Sequence, residues 1–182
     1  NVTGSLINDT DFSPDNQGSW VFDGVGDRIT FDSTESTINN IGPKSTCNIW
    51  IKYDTTGYAV LIGGSSYSNG GYFFWANPSG AYSSYMASYD LASWTSFGTG
   101  VWINYCVTKN DSGNVIWYGN GQQLGTGTVN AASSIGFWSI GSYFNGGYSF
   151  NGNISNVQVY NRALSSDEVL QNYNALKGRF GL

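Results

Sequence analysis

Short runs of alternating or apolar character recur along the chain. They are separated by clusters of Gly, Asn, Asp and Ser every 8–15 residues or so. Such a pattern predicts β-strands. Gly18 to Asp23 and Arg28 to Phe31 flank Asp23-Gly24-Val25-Gly26 and read as a hairpin. Cys47 to Tyr53 sets Cys47, Ile49, Ile51 and Tyr53 against Asn48, Trp50 and Lys52. Further strands are predicted at Tyr58 to Ile62, Gly71 to Ala76, Ala81 to Ala87, Trp102 to Lys109 and Asn114 to Tyr118. Gln122 to Thr128, Ile135 to Gly141 and Asn153 to Asn161 complete the set. Many short strands joined by tight turns, with no βαβ alternation, predict an all-β fold: a two-sheet antiparallel sandwich or a barrel.

One segment breaks the period of two. Ser165 is followed three residues later by Glu168, a capping box, and Leu164 and Val169 occupy the staple positions. Val169, Leu170, Tyr173 and Leu176 form an apolar stripe at helical spacing. The spacing predicts a helix over Ser166 to Lys177, with Gly178 as its C′ residue.

Composition narrows the function. The chain has 182 residues and reads as one domain, a processed chain or a piece of a longer protein, since it opens on Asn1 and its only methionine is Met86. Charged residues make up 10%, against a usual figure of about 25%, while aromatics reach 16%. Histidine is absent, which excludes Ser-His-Asp and Cys-His nucleophiles and His-liganded metal sites. A net charge of −5 argues against nucleic acid as a partner, and no apolar run is long enough for membrane insertion. Glu35 and Glu168 are the only glutamates and lie in different segments, so no paired-carboxylate glycosidase site is expected, and the chain is read as a non-enzyme.

The stretch from Tyr67 to Trp94 is the candidate binding surface. It combines aromatics with Ser, Asn and Gly, the composition of adaptable recognition loops. The candidate ligand contacts are Tyr67, Tyr72, Trp75, Tyr82, Tyr85, Tyr89 and Trp94, with Asn69, Asn77 and Asp90 as polar partners. The alternative reading of the same aromatics is sheet packing. A second segment, Ser142 to Phe150, repeats the pattern of Ser66 to Phe74 at seven of nine positions and brings Tyr143, Asn145 and Tyr148. Asp23 and Asp27 form the only close acidic pair around a glycine turn. They read as turn residues, or as candidates for a structural calcium; no cofactor is otherwise expected.

The succession Trp20-Val21-Phe22-Asp23-Gly24-Val25-Gly26-Asp27-Arg28-Ile29, Asn48-Ile49-Trp50-Ile51-Lys52, Trp102 to Lys109, Trp117 to Gln122 and Phe150 to Ser165 resembles the laminin-G-like jelly rolls of the concanavalin A-like lectin/glucanase superfamily. The resemblance spans residues 20 to 180. It implies two stacked antiparallel sheets and a non-catalytic binding or adhesion role more often than an enzymatic one. The expected function is recognition or adhesion outside a cell or on a particle surface, with carbohydrate, whose rings stack on such aromatics, as the favoured ligand. The competing role is a structural decoration or appendage domain of a virion that contacts neighbouring subunits. Related pentraxins carry a disulfide between strands placed much like those of Cys47 and Cys106, which makes that pair a disulfide candidate; two buried free thiols are the alternative.

Overall fold

The computed structural model describes residues 3–31, 41–54, 57, 59–64, 72–76, 81–86, 89–96, 98–132, 138–143 and 145–182. Within 72–76, 81–86 and 89–96 the backbone and its register are described. Among the described residues, fourteen strands form two antiparallel sheets of seven. They are β1 (Gly4–Ile7), β2 (Asp11–Ser13), β3 (Ser19–Asp23), β4 (Arg28–Phe31), β5 (Ser45–Tyr53), β6 (Ala59–Gly63) and β7 (Tyr72–Ala76). Then follow β8 (Ala81–Met86), β9 (Tyr89–Ser96), β10 (Trp102–Lys109), β11 (Asn114–Gly119), β12 (Gln122–Thr128), β13 (Ser139–Ile140) and β14 (Asn151–Tyr160). One sheet runs β1-β4-β13-β6-β7-β8-β9, the other β12-β11-β10-β5-β14-β3-β2.

The predicted sandwich is therefore present, with three strands beyond those predicted: β1, β2 and β9. Of the predicted segments, Tyr58, Gly71, Ala87 and residues 135–137 lie outside the described residues.

The core lies between the sheets. Cys47, Ile49, Ile51 and Tyr53 of β5 meet Ile103, Tyr105 and Val107 of β10, and from the facing sheet Ile29, Ala59, Ile62 and Ile140. Strand β5 is buried on both faces because its other side is covered by helix α1 (Ser166–Leu176). Its polar outer residues are bonded accordingly. Asn48 donates to Gln158 Oε1 at 2.9 Å and accepts from Asn104 Nδ2 at 2.8 Å, an amide ladder across β14, β5 and β10. Thr46 accepts the Leu164 N–H and donates to the Arg162 carbonyl, which fixes the chain where it enters the helix.

The capping box forms as predicted. The Glu168 N–H donates to Ser165 Oγ, and Glu168 Oε2 accepts the Ser165 N–H at 2.9 Å. Leu164 and Val169 are both buried and pack with Cys106 and Tyr118. The C-terminal stop differs from expectation. The helix runs into a 3-10 turn, Lys177–Phe180, and the left-handed glycine is Gly181, with φ 76°, rather than Gly178. The extra turn carries Phe180 into a buried cluster with Trp50 and Trp102. Where β14 crosses β5, Gly152 has φ 143°, and a Cβ there would lie 2.1 Å from the Lys52 carbonyl oxygen.

Candidate functional site

The two sheets differ in what covers them. Helix α1 and its trailing turn lie on the outer face of the β5-β10 sheet, over Trp50 and Trp102. The candidate binding residues lie in the other sheet, and register assigns their faces. Ala76 pairs with Ala59 and Phe74 with Ile62, and Ala59 and Ile62 belong to the core. Directly opposed residues share a face and alternate residues change it. Tyr72 and Phe74 therefore stand at core-face positions, together with Tyr82, Met86 and Tyr89 across β8 and β9. Phe73 and Trp75 stand on the outer face, together with Ser83, Tyr85, Asp90 and Ala92.

Register thus divides the candidate set. It unites Trp75, Tyr85 and Asp90 and sets Tyr72, Tyr82 and Tyr89 on the other face. Trp94 falls where the β8–β9 register shifts, in a stretch with three residues of β9 between the partners of Ala81 and Ser83. Tyr67, Asn69 and Asn77 lie outside the described residues.

The repeated segment borders this outer face. Val60, directly opposite Trp75, donates its N–H to the Tyr148 carbonyl at 2.8 Å. Tyr143 is buried, whereas Tyr148 is 54% exposed and has φ 53°, with the two rings 6.1 Å apart. The loop is braced internally. Gly146 N–H donates to the Tyr143 carbonyl, and Gly147 N–H donates to Asn145 Oδ1 at 3.1 Å. It is also tied to the β3–β4 hairpin, since Ser149 Oγ accepts the Gly26 N–H at 2.8 Å and donates to the Gly146 carbonyl. Arg28 lies on the outer face of β4, because its neighbour Ile29 is in the core. Its Nη1 donates to the Gly26 carbonyl at 2.9 Å and lies 3.1 Å from where a Cβ on Gly146 would stand. Among the described residues Arg28 has no ion-pair partner, and its buried Nε has no hydrogen-bond partner. No sequence signal marks this arginine's placement, since a lone cation on a strand has no pattern.

The acidic pair is built into the hairpin turn. Asp23 Oδ1 accepts the Val25 N–H at 2.6 Å, and Asp27 Oδ2 accepts the Asp23 N–H at 3.0 Å. Burial, with the Asp23 carboxylate nearby, pushes the Asp27 carboxyl above its ordinary range. Its Oδ1 is buried without a hydrogen-bond partner among the described residues.

The disulfide candidate is not borne out. Cys47 and Cys106 are both free and buried. Cys47 pairs with Val107 and packs in the inter-sheet core. Cys106 pairs with Asn48 and packs beneath helix α1. A one-residue offset between paired strands puts the two thiols on opposite faces of the sheet. Burial raises both thiols well above their usual range, so neither is a ready nucleophile. Glu168 is equally committed elsewhere: Arg162 and the helix N-terminus hold it down to about 2.

A laminin-G family model, described as concanavalin A-like lectin/glucanases superfamily, matches residues 23–170. The chain belongs to this superfamily. No curated protein matches it by sequence. Among solved structures, this concanavalin A-like chain is similar to the binding domain of Paraclostridial Mosquitocidal Protein 1, with TM-score 0.76 and 14% identity over 96% of this chain and 48% of that one. The binding domain of botulinum neurotoxin DC in complex with SialylT gives TM-score 0.73 at 13% identity, over 97% and 47%. The same domain in complex with rat synaptotagmin II gives 0.70 at 14%, again over 97% and 47%. The chain spans about half the length of each of these structures, and at such identities the likeness is one of fold.

Proposed function

We propose that this concanavalin A-like domain is a non-catalytic carbohydrate-recognition module acting outside a cell, with the outer face of β7–β9 as its binding surface. One observation carries the reading: register sets Trp75, Tyr85 and Asp90 together on the face opposite the core. Sugars present apolar C–H faces and a rim of hydroxyls. Large flat aromatics match the former at low entropic cost, and a carboxylate accepts from the latter. Two of the similar structures are complexes, one with SialylT and one with a protein, so fold likeness fits a surface that holds a partner. The acids at the hairpin and the helix cap are engaged in local hydrogen bonds, which fits binding without turnover.

The test is a glycan array on the intact chain, with Trp75→Ala and Tyr85→Ala compared by affinity and by melting temperature. Loss of about 1–3 kcal/mol of binding per aromatic is expected, the size of stacking losses on aromatic platforms in nucleic-acid sites. Absence of binding to every glycan at high protein concentration would sink the reading and favour contact with neighbouring protein subunits.

A further inference from the structure

The rim of the same face carries a second, charged element. Arg28 and Tyr148 come from segments 120 residues apart, yet the hairpin that carries Arg28 is bonded to the loop that carries Tyr148. Arg28 Nη1 lies 3.1 Å from where a Cβ on Gly146 would stand and donates to the Gly26 carbonyl, while Ser149 ties Gly26 back to Gly146. Tyr148 holds a half-exposed ring on a left-handed backbone, an uncommon conformation for a bulky residue and one that persists only where the surroundings impose it. Here the Val60 N–H, the Asn145 turn and the Tyr143 ring impose it. The guanidinium, in turn, has no carboxylate from the described residues. The guanidinium reaches the Gly146 end of the loop that carries the Tyr148 ring two residues on. Planar N–H groups and an exposed aromatic ring on one loop match a sugar ring bearing a carboxylate: the ring stacks and the carboxylate takes charge-assisted hydrogen bonds.

We propose that Arg28 and Tyr148 form a rim subsite for a carboxylate-bearing sugar. This rests on the carbohydrate reading of the neighbouring face. The chain's net charge of −5 gives no general attraction for acidic ligands, so a preference for the acid has to come from a local cation.

Two sources supply this chemistry, sialic acid and uronic acid, and the experiment separates them. The intact chain is titrated by calorimetry with 3′-sialyllactose, its methyl ester and lactose, and with a glucuronic-acid disaccharide and its glucose counterpart. At least one acid is expected to bind about tenfold or more tighter than its neutral counterpart, the size of a charge-assisted hydrogen bond. Preference for one acid alone names the source. Arg28→Gln is expected to level the acid and neutral sugars, Arg28→Lys to retain part of the preference, and Tyr148→Ala to weaken both. Equal binding of acid and ester by the unaltered chain, or a preference that survives Arg28→Gln, overturns the subsite and leaves the carbohydrate reading standing. Failure of all these sugars overturns the subsite, and failure on the glycan array as well overturns both. The ester comparison needs no variant, so the result stands even if Arg28→Gln does not fold.

Discussion

Trp50 stacks on Phe180 with ring centroids 4.2 Å apart and planes inclined by 19°. The contact joins the centre of β5 to the last turn of the chain, and Tyr173 stacks on the same indole at 5.7 Å. The outer face of β5 and β10 is thus covered by the chain's own C-terminal segment.

Phe180→Ala should therefore loosen the segment. Removing a buried phenylalanine costs about 3–5 kcal/mol, and Trp50 and Trp102 lose their cover. The expected outcome is a red shift of tryptophan emission with a melting temperature lower by roughly 10 °C. An unchanged spectrum would mean that the stack does not seal the sheet.

Gly152→Ala should be more damaging than its size suggests. The added Cβ would meet the Lys52 carbonyl at 2.1 Å, and the backbone there is in a region that side chains rarely adopt. A loss of at least about 3 kcal/mol is expected by urea denaturation, and full retention of stability would refute the register at this crossing.

Acid should act on the helix N-terminus. Arg162 and the Ser165 N–H lower the Glu168 carboxyl from 4.5 to about 2. A carboxyl lowered in the folded state stabilises above its unfolded value, and that contribution is lost as pH falls through the folded one. Glu168→Gln should abolish this part of the loss between about pH 4.5 and 2, measured by far-UV circular dichroism against pH.

Asp27 should work in the opposite sense. Its carboxyl is raised by burial, so the native state holds the proton more tightly than the unfolded chain does. Stability should fall as pH rises through the raised value, and Asp27→Asn should flatten that slope. Because one oxygen of each acid of the pair takes a backbone N–H, a chelator is expected to leave the melting temperature unchanged. A fall of several degrees would show that a cation satisfies Asp27 Oδ1.

The two thiols should be silent in the folded state. Iodoacetamide is expected to modify Cys47 and Cys106 only after denaturation, to the same extent with and without reductant. A reductant-dependent difference in mass would restore the disulfide.

What was legible in the sequence was local. The capping box needs only Ser165 and Glu168, and the alternation of β5 is written in nine consecutive residues. The edge strands β1 and β2 escaped because they are short and exposed, with little pattern to bury. Strand β9 lies within the candidate binding stretch, and its aromatic and polar residues suit either a recognition surface or a strand. The helix end departs from the nearest glycine, Gly178, because the chain continues into a turn that buries Phe180. Which candidate aromatics share a face depends on the pairing of β7, β8 and β9, which face meets the core depends on the register shift between Val60 and Ile62, and the cysteines' separation depends on a one-residue offset between strands. The placement of Arg28 beside Gly146 is a long-range property with no local signal.

The amide ladder of Asn104, Asn48 and Gln158 has a further consequence for folding. A slip of one residue in β5 would exchange its two faces and drive polar amides into the apolar layer while lifting Ile49 and Ile51 beneath the helix. The ladder therefore discriminates between alignments that hydrophobicity alone would leave close in energy. A chain with Asn48 replaced by leucine would be expected to keep much of its cohesion yet sample more than one strand alignment, trading uniqueness for oiliness.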